Sequence, residues 1–129
     1  MKYAHESWSA ELPDHLLVEE AEECVTLYDP DGVGAFQVSS YLKEDGDVTV
    51  DDLLSFAEVD APEETDIPFL NGIFKRITDG QYAIHTWWLA GANQLIYATY
   101  ICAIESENVE SPERHNIIRS LQSLHVPRH

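Results

Sequence analysis

Two long apolar runs dominate the second half of the chain, and they predict the centre of a β-sheet. Residues 82–89 and 95–104 are almost free of charge, and each run is apolar on both of its alternating faces. A strand of this kind is normally covered on both faces, in a sheet that carries helices. The Asp-Gly pair at 79–80 predicts a hairpin turn from a strand over 69–78, and residues 91–93 predict the turn between the two runs.

The first half of the chain alternates between apolar and polar positions, which predicts four shorter strands. They cover residues 8–12, 16–22, 24–28 and 35–42. β-Branched and aromatic side chains favour extended structure in the last two of them. The second segment carries several acidic residues, and acids on an edge strand discourage edge-to-edge pairing. We therefore place that segment at an edge of the sheet.

At two places the two-residue repeat of the strands gives way to a helical repeat. The Thr-Val-Asp-Asp sequence at 49–52 predicts an N-cap with acids in the first turn, where the helix dipole favours them. An apolar stripe continues this helix to about residue 59. An acidic linker is expected over 61–66. The Ser-Pro pair at 111–112 predicts the start of a second helix, with an apolar face that extends to residue 124.

These elements together predict an α+β protein with a largely antiparallel sheet of six or seven strands flanked by two helices. A chain of 129 residues is expected to form a single domain over residues 1–129. The N-terminus has no apolar run of the secretory type behind Lys2. No stretch approaches the roughly 20 apolar residues that a membrane span needs. We therefore expect a cytoplasmic protein.

The charge is concentrated in one half of the sequence. Residues 1–66 hold 19 of the 24 acidic residues against two lysines, a net charge of −17, while residues 67–129 balance five acids with five bases. A surface of this charge repels phosphate backbones and anionic lipids, which disfavours nucleic acids and membranes as partners. Three interpretations stay open: a face for a basic partner, an acid-rich surface adapted to high salt, and an acidic surface without a specific role.

No motif for catalysis, a metal or a cofactor stands out, and we predict none of the three. The acidic segment at 29–32 has two acids and then no further ligands of a calcium loop, and the segment at 44–52 has Val48 where such a loop needs glycine, so we interpret them as turns and a helix cap. The six histidines have no zinc-site spacing. Cys24 and Cys102 lie in apolar runs and are expected to be buried free thiols, with a disulfide as the alternative.

Aromatic residues on the two apolar strands provide a candidate ligand pocket. Packing in the core is the first interpretation. The alternative is a partly uncovered sheet face, where tyrosine and tryptophan tolerate water at their polar ends. The candidate pocket residues are His85, Trp87, Tyr97 and Tyr100. A histidine among apolar neighbours is more typical of a hydrogen-bonded core residue than of a catalytic base.

The order of the elements resembles that of a known superfamily. The matching features, in chain order, are Trp8, Leu12-Pro13, the strand end at 27–30, the strand at 35–39, the helix at 50–59, the hairpin block and the helix at 112–124. This order is similar to that of the PsbP-like superfamily, which includes extrinsic photosystem proteins, a Ran-binding nuclear import factor and small bacterial proteins of unknown function. The resemblance implies an antiparallel sheet sandwiched with helices, a binding or scaffold role and no catalytic residues.

Charge and fold class together predict a small, acidic, non-enzymatic binding protein of the immunity-protein or antitoxin kind. It would engage a basic protein partner through its N-terminal half. The residues expected to attract that partner are Glu19, Glu20, Glu22, Glu23, Asp29 and Asp31. The alternatives are a salt-adapted protein with no such partner, and a ligand carrier with a pocket near His85 and Tyr97.

Overall fold

The computed structural model describes residues 2–5, 8–13, 16–21, 24–30, 32–64, 71–107 and 111–127. Within these residues the chain is α+β, as the sequence predicts. The elements are β1 (Lys2–Ala4), β2 (Ser9–Glu11), β3 (Leu17–Glu20), β4 (Val25–Tyr28), β5 (Gly34–Leu42), α1 (Val50–Ala57), β6 (Glu63–Glu64), β7 (Asn71–Asp79), β8 (Tyr82–Gly91), β9 (Gln94–Ala103), a 3₁₀ turn (Ile104–Ser106) and α2 (Pro112–Gln122).

Among the described residues, six strands of four to ten residues form one antiparallel sheet, which the two-residue β6 extends at one edge. The strand order is β3-β4-β5-β9-β8-β7-β6. The strand β9 lies at the centre with β8 beside it, so the two apolar runs occupy the positions that their sequence predicts. The acidic strand β3 forms the other edge, also as predicted.

Each face of the sheet carries its own core. On one face, here called the α2 face, Trp87 packs with Trp8 beside the N-terminal hairpin and with Ile117 of α2. On the other, the α1 face, Trp88 packs with Leu53 of α1. Successive residues of a strand point to opposite faces, so neighbours in sequence such as the two tryptophans contribute to different cores.

The helix α1 begins where the sequence predicts and ends earlier. The Thr49 side chain accepts a hydrogen bond from the backbone N–H of Asp52, and the Asp52 carboxylate accepts one from the Thr49 N–H, which completes a capping box. The helix stops at Ala57 because Glu58 takes the left-handed conformation, with φ of 51°. The predicted linker over 61–66 is wrong in part, since its residues 63–64 form β6 and pair with β7.

Both hairpin loops differ from their predicted positions. The β7–β8 loop is residues 80–81 rather than 79–80, because Asp79 still pairs with Tyr82. Gly80 has φ of 62°, which suits the first position of a two-residue type II′ turn. The β8–β9 loop is residues 92–93, and Gly91 belongs to the strand. A Cβ atom on Gly91 would lie 2.6 Å from the Cβ of Val126, so glycine is needed there for close packing.

The N-terminal strands form a separate two-stranded sheet. The strand predicted over 8–12 is β2, and it pairs with β1 instead of joining the main sheet. Two backbone hydrogen bonds of 2.9 and 2.8 Å join Ser9 to His125, and the Glu11 N–H donates to Ser123 Oγ at 2.8 Å. These hydrogen bonds hold the β1–β2 hairpin against the C-terminal segment. No local sequence pattern predicts this pairing.

The helix α2 follows the predicted N-cap, Ser111, whose side chain accepts a hydrogen bond from the backbone N–H of Arg114 at 3.1 Å.

Neither of the described helices is long and apolar enough to cross a lipid bilayer. Both cysteines are free thiols, and Cys102 is buried while Cys24 is half-buried.

Candidate functional site

The predicted partner-binding acids are only partly brought together. Glu19 and Glu20 lie side by side on β3, so their side chains point to opposite faces of the sheet edge. Glu19 accepts a hydrogen bond from the Tyr28 hydroxyl at 3.4 Å, and Glu20 accepts one from Tyr3 of β1. Both glutamates are exposed. Three further acids of the prediction lie outside the described residues: Glu22, Glu23 and Asp31.

Tyr3 remains a hydrogen-bond donor to Glu20 over the whole physiological pH range. Burial and the neighbouring Glu20 carboxylate raise the pKa of Tyr3 to about 12. The contact therefore orders one carboxylate of the edge strand without neutralising its charge.

Asp29 takes a different place from the edge-strand acids. It is half-buried after β4 and lines a small cleft between β4, β5 and α2. The Gly32 N–H donates to the Asp29 carbonyl at 2.8 Å, which closes the turn. Leu27 and Phe36 form part of the cleft wall, and Glu113 of α2 lies opposite. Asp29 therefore belongs to a structured turn rather than to the exposed edge.

The four candidate pocket residues do not share one pocket. His85, Trp87 and Tyr100 point to the α2 face, whereas Tyr97 points to the α1 face. The rings of His85 and Tyr100 meet edge to face, with centroids 5.8 Å apart. His85, Trp87 and Tyr100 therefore lie together in the core of the α2 face. Tyr97 lies on the other side of the sheet.

His85 is the centre of a buried polar network. Its side chain is 1% exposed. Arg114 Nε donates to His85 Nδ1 at 2.9 Å, and His85 Nε2 lies 2.5 Å from Glu107 Oε2. Because an arginine nitrogen is always a donor, Nδ1 must be the acceptor, and the proton of the neutral ring resides on Nε2. His85 therefore donates to the Glu107 carboxylate.

The surroundings keep the His85 ring neutral. Burial lowers the pKa of His85, and the charges of Arg114 and Arg76 act in the same direction. The hydrogen bond to Glu107 opposes them. A neutral ring matches the hydrogen bonds described above, since protonation of Nδ1 would place a second donor against the Arg114 guanidinium.

Glu107 carries the negative charge of the network. Arg76 Nε and Nη2 each donate to one of its oxygens at 2.7 Å, a bidentate pair. The hydrogen bonds from Arg76 and His85 lower the pKa of Glu107 to about 2. The carboxylate is thus ionised at any physiological pH and joins β7, β8 and the segment after the 3₁₀ turn.

A second polar link lies next to this network. The Tyr100 hydroxyl donates to Glu113 Oε1 at 2.6 Å, and the Gly34 N–H donates to the same oxygen at 3.0 Å. Burial and the hydrogen bond to Glu113 raise the pKa of Tyr100. A Cβ atom on Gly34 would lie 2.4 Å from the Tyr100 ring, so the sheet approaches the ring too closely for a side chain there.

The hydrogen-bond donors and acceptors of this network are paired with one another. Both nitrogens of His85 are engaged, and so are both oxygens of Glu107. A general base needs a free lone pair within reach of substrate, and the buried ring offers none. Across the described ranges, no three His, Cys, Asp or Glu side chains are placed to hold a metal ion. The network acts as a crosslink between the sheet and α2.

Sequence reasoning identified His85 and missed its partners, which are Arg76, Glu107 and Arg114. They lie between 9 and 29 residues from it along the chain, so no local spacing links them. The pairing of Arg76 with His85 could not be predicted either, because it depends on the loop at residues 80–81, whereas the predicted loop at 79–80 places Phe74 opposite His85.

Comparison with known proteins shows a likeness at the level of the fold. No protein-family model and no curated protein matches the chain. A crystal structure from Bacteroides thetaiotaomicron VPI-5482 at 1.50 Å resolution is similar, with a TM-score of 0.74 and 16% sequence identity. The match covers 95% of this chain and 46% of that one, so this chain spans about half its length.

Proposed function

We propose that the protein is a non-enzymatic binding protein that engages a basic protein partner through its acidic N-terminal half, as an immunity protein or antitoxin does. The observation that carries the proposal is the charge of residues 1–66, which is −17 while the rest of the chain is neutral. Among the residues of this half that the structure describes, ten acids are exposed: Glu11, Glu19, Glu20, Glu44, Asp45, Asp47, Asp51, Glu58, Asp60 and Glu63. Such a surface accelerates encounter with a cationic protein and disfavours anionic ligands.

The buried network gives no support to a catalytic role for His85. Its charged groups satisfy each other, and its histidine is 1% exposed. The ligand-carrier alternative gains no support from the geometry, because His85 and Tyr97 lie on opposite faces of the sheet. The salt-adapted alternative makes a different prediction for stability and is separated by the salt series in the Discussion.

The finer fold assignment is also a proposal. We infer that the chain is a PsbP-like protein, and the support is an antiparallel sheet with one helix on each face in the expected order. A binding or scaffold role is what that resemblance implies.

The test is capture of proteins from cell extract at about 50 mM NaCl by the immobilised chain. A specific basic partner should bind saturably and elute with salt, since the Debye length shortens from about 14 Å to less than 8 Å above physiological ionic strength. The double reversal Glu19→Lys, Glu20→Lys should abolish capture. The matched control is Asp79→Lys, Glu105→Lys, which changes the charge equally at two exposed acids of the neutral half. Equal loss in both variants would show non-specific attraction and would contradict the proposal.

A further inference from the structure

Three aromatic rings meet on the α1 face of the sheet, at the surface. Tyr41 at the end of β5 and Phe56 of α1 have ring centroids 5.1 Å apart, and Phe56 and Tyr97 of β9 have centroids 6.1 Å apart. Tyr41 is 46% exposed and Phe56 is 44% exposed. These three residues are called the aromatic patch below.

The exposure of Phe56 follows from its position on the helix. Leu53, which is fully buried, marks the side of α1 that faces the sheet. Phe56 is three positions later and therefore lies about 60° around the helix from that side. The helix packs on β7 and β8, so the phenyl ring stands beside Tyr97 of the neighbouring strand β9. Stability alone does not require so large an apolar ring at a half-open position.

The segment that carries Phe56 and follows Tyr41 is strongly acidic. Residues 43–60 contain seven acids and one base, Lys43, so their net charge is −6. Lys43 is itself held by Asp52 at 2.8 Å. Six of the acids are exposed, and together they are called the acidic rim: Glu44, Asp45, Asp47, Asp51, Glu58 and Asp60.

We propose that the aromatic patch and the acidic rim form the docking surface for a basic segment of a partner protein. An aliphatic or aromatic side chain of that segment covers Phe56 and Tyr41, while its lysines and arginines pair with the rim. An apolar centre inside a charged border is the usual anatomy of a protein interface. The inference deepens the proposed function, on which it rests, by naming the surface that supplies affinity.

Charge complementarity selects this occupant over others. A nucleic acid or an anionic bilayer would meet a rim of like charge. A second copy of the chain, related by a two-fold axis, would bring two such rims together at the same interface, which repulsion opposes. A cationic segment with an apolar anchor removes both the exposed apolar area and the excess charge.

The test uses two synthetic peptides of 16 residues, one of lysine and leucine and one in which serine replaces every leucine. Each peptide is titrated into the full ¹⁵N-labelled chain at about 50 mM NaCl. The lysine–leucine peptide should shift resonances of residues 41–60 and of Tyr97. It should bind at least about tenfold more tightly than the lysine–serine peptide, because a well-packed anchor is worth more than about 1.4 kcal/mol.

Matched variants locate the site. Phe56→Ala and Tyr41→Ala should each weaken the lysine–leucine peptide about tenfold. One control should bind within twofold of the wild type: Tyr82→Ala, which truncates a tyrosine that is 56% exposed on another strand. Asp51→Asn with Glu58→Gln should also weaken binding, and Asp79→Asn with Glu105→Gln should not, so the site is tested without removing an aromatic ring.

The outcomes separate the docking surface from the proposed function. If Phe56→Ala and the Asp51, Glu58 pair bind normally while the Glu19, Glu20 reversal abolishes binding, the docking surface is wrong and the proposed function stands. If the serine peptide binds as tightly as the leucine peptide, the aromatic patch has no role and the inference fails. If neither peptide binds the wild type at low salt, both proposals fail.

Discussion

His85 donates the proton of its Nε2 to the Oε2 of Glu107 across 2.5 Å. The other ring nitrogen accepts from Arg114, so the imidazole has no position for an additional proton without losing a hydrogen bond. The ring is almost completely buried on the α2 face of the sheet. His85 is therefore neutral in the folded chain, and the free energy of unfolding must depend on pH.

The first prediction is a loss of stability as the pH falls through about 6.5. The pKa of His85 is lowered in the folded chain, so the unfolded chain takes up a proton near pH 6.5 that the native chain does not. The free energy of unfolding should therefore decrease below that pH. Glu107, with a pKa of about 2 against an ordinary value of 4.5, adds a second loss between those two values as its carboxylate becomes protonated. Urea denaturation followed by tryptophan fluorescence between pH 3 and 8 measures both.

The control for this prediction is His85→Gln, which keeps a donor toward Glu107 and cannot titrate. The variant should be less stable than the wild type at pH 8, and the two stability curves should converge toward pH 5. Parallel curves over this range would mean that other groups cause the acid sensitivity.

The second prediction concerns the bidentate pair. Glu107→Ala should destabilise the chain by about 2–3 kcal/mol, because Arg76 and His85 lose their common negatively charged partner and the buried Nε2 donor of His85 is left unpaired. Glu105→Ala, at an exposed acid two residues earlier, should change the stability by less than about 0.5 kcal/mol. Similar midpoints of urea denaturation for the two variants would show that the network adds nothing to stability.

The strand pattern was predictable because it depends on local periodicity. The parity of the two apolar runs correctly assigns Trp87 and Trp88 to opposite faces. The same parity also shows that Tyr97 and Tyr100, three residues apart on one strand, cannot line one pocket, which the grouping of candidate pocket residues overlooked. For the central strands, period-two alternation alone therefore determines which face each side chain occupies.

The candidate sites were harder to predict because they depend on pairing between distant elements. The Glu107 carboxylate reaches His85 only through the β8–β9 register and the 3₁₀ turn. Phe56 and Tyr41 meet because α1 packs across the sheet, an orientation that an eight-residue apolar stripe does not specify. Charge is predictable from composition, but the aromatic patch beside the acidic segment follows from tertiary structure.

The third prediction uses a buried hydroxyl. Thr86 Oγ1 is buried on β8 and has no hydrogen-bond partner among the described residues. Leaving a donor unpaired in the core costs about 1–3 kcal/mol, so Thr86→Val, which keeps the shape and removes the hydroxyl, should stabilise the chain by about 1 kcal/mol. Thr86→Ser keeps the hydroxyl, loses the methyl group and should destabilise by about 1 kcal/mol. A less stable Thr86→Val variant in thermal unfolding would reveal a hydrogen bond at this site.

The fourth prediction links stability to the docking surface. Glu58 adopts the left-handed conformation at the end of α1, where glycine is favoured and a negative charge opposes the helix dipole. Glu58→Gly should therefore raise the stability by about 1 kcal/mol, measured by urea denaturation, and Glu58→Ala should gain less because alanine keeps the backbone strain. The glycine variant should nevertheless bind the lysine–leucine peptide more weakly. Lower stability of Glu58→Gly would contradict the strain, and unchanged binding would remove Glu58 from the acidic rim.

The fifth prediction separates a binding face from salt adaptation. Repulsion among the acids of residues 1–66 should be screened as NaCl rises from about 0.05 to 0.5 M, where the Debye length falls from about 14 Å to about 4 Å. For a binding protein the melting temperature should rise over this range and then level off, because salt only screens the repulsion among the acids and adds no further stabilisation. A melting temperature that climbs steeply up to about 2 M would favour the salt-adapted alternative, since screening is already complete.

The reversal Glu19→Lys, Glu20→Lys provides the control. It should raise the melting temperature at low salt, where repulsion is strongest, and leave the melting temperature at high salt unchanged. If the variant also melted at a higher temperature than the wild type at high salt, the gain would come from local packing at β3. The difference in melting temperature at low salt would then not be caused by charge alone.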